Sequence, residues 1–310
     1  MCFDEFSKDR WVFPSELVRV TGDRGGEVYL ILGPEKTALY DCGMPYGGGN
    51  LVRNIEKSLG NRPLDFVLLS HSHFDHVGGL PQVKERWPKA VVCGHERCRK
   101  VFASEGARRT MQKMDQKSRE FMTSLTAGAF HAERLVVDRV VKEGDRIDLG
   151  KLSDSTRMSI LVLETPGHTK DTLTYCIEPQ KYMFASESTG VLATEDLIIP
   201  SILTGYEDSL ASAKKCAAYV PTFIISPHFG AVPRGFETKY FDVYQREAAK
   251  QRALIIKLFD EGKEQATVMQ AMEDMYFPAS YRLDQCREAF TANAIATIGL
   301  FNPPGEEQDD

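Results

Sequence analysis

The sequence predicts an α/β fold in which sheet layers are flanked by helices, with a helical extension at the C-terminal end. Three observations predict it. Short apolar runs bounded by glycine and proline alternate with segments of helical spacing as far as Val232. Histidines and acids collect where those runs end, as they do when a sheet delivers side chains to one rim. From Thr238 the strand signals stop and only helical segments follow. The expected organisation is a main domain over residues 1–236, with a helical insertion at about 96–130, and an extension over 237–310.

Residues 1–15 carry little signal and read as an irregular arm. Leu17 to Val20, Val28 to Leu32 and Thr37 to Tyr40 read as strands joined by glycine-marked turns. The third ends in Asp41-Cys42-Gly43, and Tyr46 to Gly49 reads as a turn, since no lysine and hydroxyl residue follow as in a phosphate loop. Leu51, Val52, Ile55 and Leu59 share one face of a helix. Phe66 to Leu69 is a buried strand that empties into Ser70-His71-Ser72-His73-Phe74-Asp75-His76-Val77-Gly78-Gly79. A short helix, Leu80 to Trp87, and a strand, Ala90 to Cys93, come next. Glu96 to about Leu125 reads as one long helix whose stripe takes in Val101, Phe102, Met111, Met114, Phe121, Met122 and Leu125. The same segment carries eight basic residues between Arg97 and Arg119. A solvated basic face is the favoured reading, and a cap attracting an anionic substrate is the other.

Strands are expected at Leu135 to Val141 and Met158 to Leu163, with Gly144 to Ile147 as the turn between them. Thr172 to Ile177, Tyr182 to Ala185 and Phe223 to Ile225 complete the strands, and Ser209 to Tyr219 is a helix. Helices over Tyr240 to Glu261, Glu264 to Met275 and Tyr281 to Leu300 form the extension, and the acidic tail from Asn302 is expected to fray.

Bulk properties narrow the function. At 42% hydrophobic and 26% charged, the 310 residues can bury a core of ordinary size. No stretch approaches the roughly 20 apolar residues of a membrane span, and Met1 to Glu5 begins acidic with no apolar run, so a cytoplasmic location is expected. A net charge of −6 argues against nucleic acid as a partner. The seven cysteines are odd in number and never spaced C-x-x-C, which suits reduced thiols in a core.

The chemistry lies in the histidines. Three of only seven stand within six positions, beside Asp75. Imidazole with carboxylate suits a first-row transition metal. His71 and His73, two apart on extended backbone, project the same way and can share one ion, while Asp75 and His76 can face a second. His168, Glu187 and His228 each follow a predicted strand, and Pro166-Gly167 and Pro227 sharpen the turns that aim two of them. His95 and His131 fall outside this pattern and read as structural or surface residues.

These motifs resemble the metallo-β-lactamase superfamily. Its H-x-H-x-D-H motif stands as His71-Ser72-His73-Phe74-Asp75-His76, its P-G-H-T as Pro166-Gly167-His168-Thr169, its final ligand as His228 in Pro227-His228-Phe229-Gly230, and its early D-x-G as Asp41-Cys42-Gly43. The resemblance spans about residues 15 to 232 and implies a four-layer αββα sandwich with a dinuclear site along one edge. It implies that metal one takes His71, His73 and His168, that metal two takes Asp75, His76 and His228, and that Asp41 supports them from behind. The family's bridging aspartate is matched here by Glu187, after Ser186 in place of glycine. With one more methylene, that glutamate is expected to bridge differently, bind one ion only, or swing away, which leaves the second ion's occupancy open.

Two divalent ions are therefore the expected cofactors, zinc first, with iron and manganese suited to the same donors. Paired ions lower the pKa of a shared water enough to supply hydroxide, and Asp75 can orient that nucleophile or take its proton. The expected function is hydrolysis of a small-molecule thioester of acyl-CoA or acyl-glutathione type. The resemblance points to glyoxalase II-like enzymes and to the thioesterase branch of alkylquinolone synthesis, both with helical C-terminal additions. Lactone or phosphodiester hydrolysis is the alternative on the same site, as is a catalytically weak sensor or scaffold keeping the fold. A β-lactamase, an RNA-processing enzyme and an oxygen or nitric oxide reductase are disfavoured by the missing export signal, the acidic balance and the lack of a flavin domain. The apolar C-terminal helices would serve a homodimer as well as a cap.

Overall fold

A computed structural model describes residues 9–122, 129–194, 197–279, 282 and 285–301. The start of the predicted arm, the end of the long helix after Met122 and the acidic tail lie outside them. Two mixed sheets face each other. The first runs in the order β1 (Leu17–Arg19), β2 (Tyr29–Leu32), β3 (Thr37–Tyr40), β4 (Phe66–Leu68), β5 (Val91–Gly94), β6 (Arg139–Val140). Its first three strands are antiparallel and β3 to β6 are parallel. The second sheet is built from β7 (Arg146–Lys151), β8 (Arg157–Glu164), β9 (Leu173–Glu178), β10 (Tyr182–Phe184) and β13 (Phe223–Ile225), in the order β13-β10-β9-β8-β7. A ribbon of β11 (Val191–Leu192) and β12 (Ile198–Ile199) stands apart.

The two-residue period of the strands sorts the apolar side chains into layers. Tyr29, Ile31, Tyr40 and Leu68 point inward and pack on Ile160, Val162, Tyr175 and Phe184 of the facing sheet. Leu30, Leu39, Val67 and Val92, one position out of phase, pack on Leu51, Ile55 and Leu59 of α1 (Gly48–Leu59). Behind the second sheet, Cys176, Met183 and Ile224 meet Ala213 and Cys216 of α6 (Tyr206–Ala218) and Tyr240 and Tyr244 of α7 (Glu237–Asp260). Helix, sheet, sheet, helix is the four-layer sandwich that the resemblance implies. The remaining helices are α2 (Phe74–Val77), α3 (Leu80–Arg86), α4 (Glu96–Ala103), α5 (Glu105–Met122), α8 (Gln265–Tyr276) and α9 (Arg287–Gly299). Ile255 of α7, Val268, Met272 and Tyr276 of α8, and Phe290, Ala294 and Ile298 of α9 form a separate core against Val191 and Ile199 of the ribbon.

Three local expectations are corrected. Gly144 to Ile147 is not wholly a turn: β7 starts at Arg146, because Ile147 and Leu149 alternate into the inter-sheet core. Leu135 to Val141 yields only the two-residue β6. The long helix breaks at Ser104, whose backbone is extended (φ −79°, ψ 117°) and whose hydroxyl accepts the Ala107 N–H, capping α5. Phe121, counted in the apolar stripe, is exposed.

Five of the strand ends meet along one edge. β3 and β4 are parallel neighbours, β10 and β13 are parallel, and β8 runs with β10 because β9 is antiparallel to both. Asp41, Ser70–His76, Thr165–His168, Ser186–Glu187 and Ser226–His228 therefore leave the sandwich on the same rim.

Candidate metal centre

The rim brings the sequence-predicted side chains into two adjoining groups. His71, His73, His168 and Glu187 form one, and Asp75, His76 and His228 the other; within each, the nearest ligand atoms all lie within 4.8 Å of one another. His95 and His131 are elsewhere: His95 caps α4 through the Arg97 N–H, and His131 pairs with Glu133 at the surface.

Four of the imidazoles have their outward nitrogens tied, and the partners fix which nitrogen faces inward. His168 Nδ1 lies 2.8 Å from the Ser201 carbonyl oxygen, and His228 Nδ1 lies 3.1 Å from that of Gly25. A carbonyl only accepts, so both Nδ1 atoms carry the proton and both Nε2 atoms present lone pairs. His76 Nδ1 donates to Asp41 Oδ2 at 2.8 Å. Ser70 Oγ gives its proton to the same Asp41 oxygen at 2.8 Å, which leaves it to accept from His71 Nδ1 at 3.0 Å. Asp41, fully buried at a positive φ of 56°, also takes the Ser70 N–H at 2.7 Å.

In their neutral forms the imidazoles thus turn lone pairs toward one another. His71 Nε2, His76 Nε2, His228 Nε2 and Glu187 Oε2 are buried without a hydrogen-bond partner, an arrangement that costs free energy unless a cation satisfies it. His168 Nε2 faces His73 Nδ1 at 3.0 Å. Glu187 Oε2 is 2.9 Å from His168 Nε2, 3.2 Å from His71 Nε2 and 3.5 Å from His76 Nε2, and its Oε1 is 3.4 Å from His228 Nε2. Asp75 Oδ2 is 3.6 Å from His76 Nε2 and 3.9 Å from His228 Nε2. Metal–ligand bonds of about 2.0–2.2 Å place neighbouring donors roughly 3 to 3.5 Å apart around one ion. The first group and Glu187 match that span closely, and the Asp75 contacts are wider. The donor set fits a pair of divalent ions.

Without an ion the imidazoles divide: His71 and His73 are held neutral, while against burial nearby carboxylates draw a proton to His76 and His228, where a metal cation would take its place. Burial, with His76 adding to it, holds the His71 imidazole well below its ordinary range, and burial with the facing His168 brings His73 to about 4. Burial works against protonation of His76 too, but the Asp75 and Asp41 carboxylates outweigh it and raise that pKa well above the usual value. Burial would raise Glu187, yet His168, His228 and His71 overcome it and keep the carboxylate ionised well below its usual range.

Of the alternatives the extra methylene left open, the glutamate has not swung away: its two oxygens reach both groups. Sequence reading missed Ser201 and the loop before β2. The Ser201 carbonyl and the Gly25 carbonyl are backbone acceptors, which residue type does not announce. Gly26 is pinned as well, since a Cβ there would stand 1.7 Å from the Asp75 carbonyl oxygen. Asp41→Asn removes the charge that serves His76 and Ser70 at once, so metal affinity is expected to fall about 10- to 100-fold, as read by competition with a chromogenic chelator.

A cavity of about 450 Å³ opens directly on this centre. Its floor includes His73, Asp75, Glu187 and His228, and its walls come from α5 and α9. The basic face of α4 and α5 turns away from it. Arg99 and Lys100 pair with Glu96, Arg109 pairs with Glu105, and Arg108 donates to the Phe102 and Ala103 carbonyls. That is the solvated face of the sequence reading.

Comparison with known proteins gives a consistent picture. A family profile described as the metallo-beta-lactamase superfamily matches residues 21–228. A hydroxyacylglutathione hydrolase of Bradyrhizobium sp. (strain ORS 278) is 28% identical over 160 residues, 52% of this chain and 46% of that protein. Another, from Methylobacterium sp. (strain 4-46), is 33% identical over 126 residues, 41% of this chain and 34% of that protein. The chain thus spans less than half the length of these curated relatives. Among solved structures, a metallo-beta-lactamase family protein from Thermus thermophilus superposes over 94% of this chain and 95% of its own, with a TM-score of 0.62 at 16% identity. A subclass B3 metallo-beta-lactamase of Bradyrhizobium japonicum covers 80% of this chain and 97% of its own, with a TM-score of 0.51 at 23% identity. At these identities the structures speak to the fold.

Proposed function

The chain belongs to the metallo-beta-lactamase superfamily of metal-dependent hydrolases, and from that premise we propose that it hydrolyses a small-molecule thioester at a dinuclear centre. The observation that carries the metal dependence is the convergence of four unpartnered buried donor atoms on one point of the rim. His71, His73 and His168 would hold one ion and Asp75, His76 and His228 the other, with Glu187 within reach of both groups. When bound, such a pair supplies hydroxide near neutral pH and polarises the carbonyl under attack.

The chain's own residues account for the rest. The hydrogen bonds from His71, His76, His168 and His228 to Ser70, Asp41, Ser201 and Gly25 fix four of the five rings before substrate arrives, so little reorganisation accompanies the reaction. Asp75 is the acid of the cluster with the most solvent contact, its side chain 17% exposed against 4% for Glu187. It lies on the cavity floor and is placed to orient the attacking water and take its proton. A thiolate leaves without full protonation, since the thiol pKa of about 8.5 lies far below that of an alcohol. This suits the wall as its described residues form it, whose polar side chains are the neutral Thr110, Ser118, Gln285 and Asn293 beside the Cys286 thiol. The hydroxyacylglutathione hydrolases support the thioester choice.

The test is a panel of thioesters, lactones and phosphodiesters assayed with zinc-, iron- and manganese-loaded protein and again after chelation. Thioesters are expected to turn over fastest, with activity lost to chelator and restored by added metal. Faster turnover of lactones or phosphodiesters would reassign the substrate, and no turnover on any would favour a sensor or scaffold role.

A further inference from the structure

The cavity walls carry information that the metal centre does not. On α5, Ala107, Met111 and Met114 recur at helical spacing and face inward; Ala289 and Ala292 of α9 line the other wall. Phe229, held at a positive φ of 62° directly after His228, stands beside the metal-binding floor. Among the described residues lining the cavity there is no lysine and no arginine, and its charged groups are the acids and histidines of the floor. An anionic group seated between the helices would lose hydration and gain no cationic partner. An apolar group seated there would displace water from methionine, alanine and aromatic surface, which is favourable in proportion to the area covered.

We propose that the cavity between α5 and α9 is the seat of an uncharged, apolar acyl group of medium length, and that Ala107 and Ala289 leave the room it occupies. This rests on the hydrolase reading for its chemistry, because the acyl carbonyl must reach the floor. The volume of about 450 Å³ lies within the 300–1,000 Å³ typical of small-molecule sites and far exceeds what an acetyl group fills. The short, polar hydroxyacyl group of the curated relatives' named substrate would leave most of it empty. The flexible thioethers of Met111 and Met114 adapt to either an alkyl chain or an aryl ring.

N-acetylcysteamine thioesters isolate the acyl side, because their leaving group is small and neutral. For the metal-loaded protein, kcat/KM is expected to be at least tenfold higher for the octanoyl thioester than for the acetyl, and lowest for the glutaryl thioester with its terminal carboxylate. Binding is read separately by calorimetry on metal-free and metal-loaded protein, using the uncleavable S-octyl and S-methyl thioethers of N-acetylcysteamine. The octyl compound is expected to bind at least tenfold more tightly in both. Ala289→Phe and Ala107→Phe, on opposite walls, should each reduce that octyl preference at least fivefold, and agreement of the two guards against a local folding defect in either. Equal binding of the two thioethers, a preference for the glutaryl thioester, or an octyl preference untouched by both variants would overturn the proposal. Tight, length-dependent thioether binding without turnover of any thioester would support the apolar seat while refuting the thioesterase reading.

Discussion

Glu187→Ala is expected to release at least one metal ion per chain and to lower hydrolysis well beyond the 10- to 100-fold typical of residues that only support ligands. The reason is geometric. Glu187 Oε2 stands at 2.9 Å and 3.2 Å from the first group's His168 and His71, and at 3.5 Å from His76 of the second. With the carboxylate gone, the site loses an anion that offsets the charge of two buried divalent cations. Glu187→Asp sharpens the point. The chain turns at Ser186 into a single helical turn, Glu187–Thr189, all of it buried, so the backbone has little freedom to advance. An arm shorter by one methylene cannot keep both contacts, and Asp is expected to bind metal more weakly than Glu in this protein. Metal titration of the two variants beside the native chain decides it; tighter binding by Asp would mean that the glutamate handicaps the site.

His73→Ala should abolish hydrolysis while the fold survives. The histidine lies on the loop between β4 and α2, at the floor of a cavity, and supports no core layer. Its ring faces His168 Nε2 at 3.0 Å, so its loss opens the first group on the side toward substrate. Circular dichroism and thermal melting of the metal-free variant should match those of the metal-free native protein, and kcat/KM on any substrate cleaved by the native protein should drop by about a thousandfold or more, a loss of about 4 kcal/mol of transition-state stabilisation. Residual activity within tenfold of native would place His73 outside the working site.

The site was legible because its chemistry sits in side chains of rare types at fixed spacing. His71, His73, Asp75 and His76 announce themselves in one loop, and His168 and His228 follow prolines at strand ends, so pattern alone paired them with the right rim. What pattern could not supply was carried by groups without a type signal. The Gly25 and Ser201 carbonyls orient His228 and His168, and every residue owns a carbonyl. β7 went unread as a strand because Gly144 and charged residues hide the alternation of Ile147 and Leu149. The break at Ser104 lay within an unbroken helical period and shows in the serine's extended backbone and capping bond. Met111 and Met114 were visible as an apolar stripe, but whether such a stripe meets core or cavity depends on α9, about 180 residues further along the chain.

The central claim is that two groups of side chains, joined by Glu187, hold two ions. Elemental analysis of the protein purified without chelator, calibrated against amino-acid analysis and repeated after reconstitution with zinc, iron or manganese, measures it most directly. The arrangement of donors predicts two ions per chain for the native protein and no more than one for Glu187→Ala. One ion or fewer per native chain after reconstitution would contradict it.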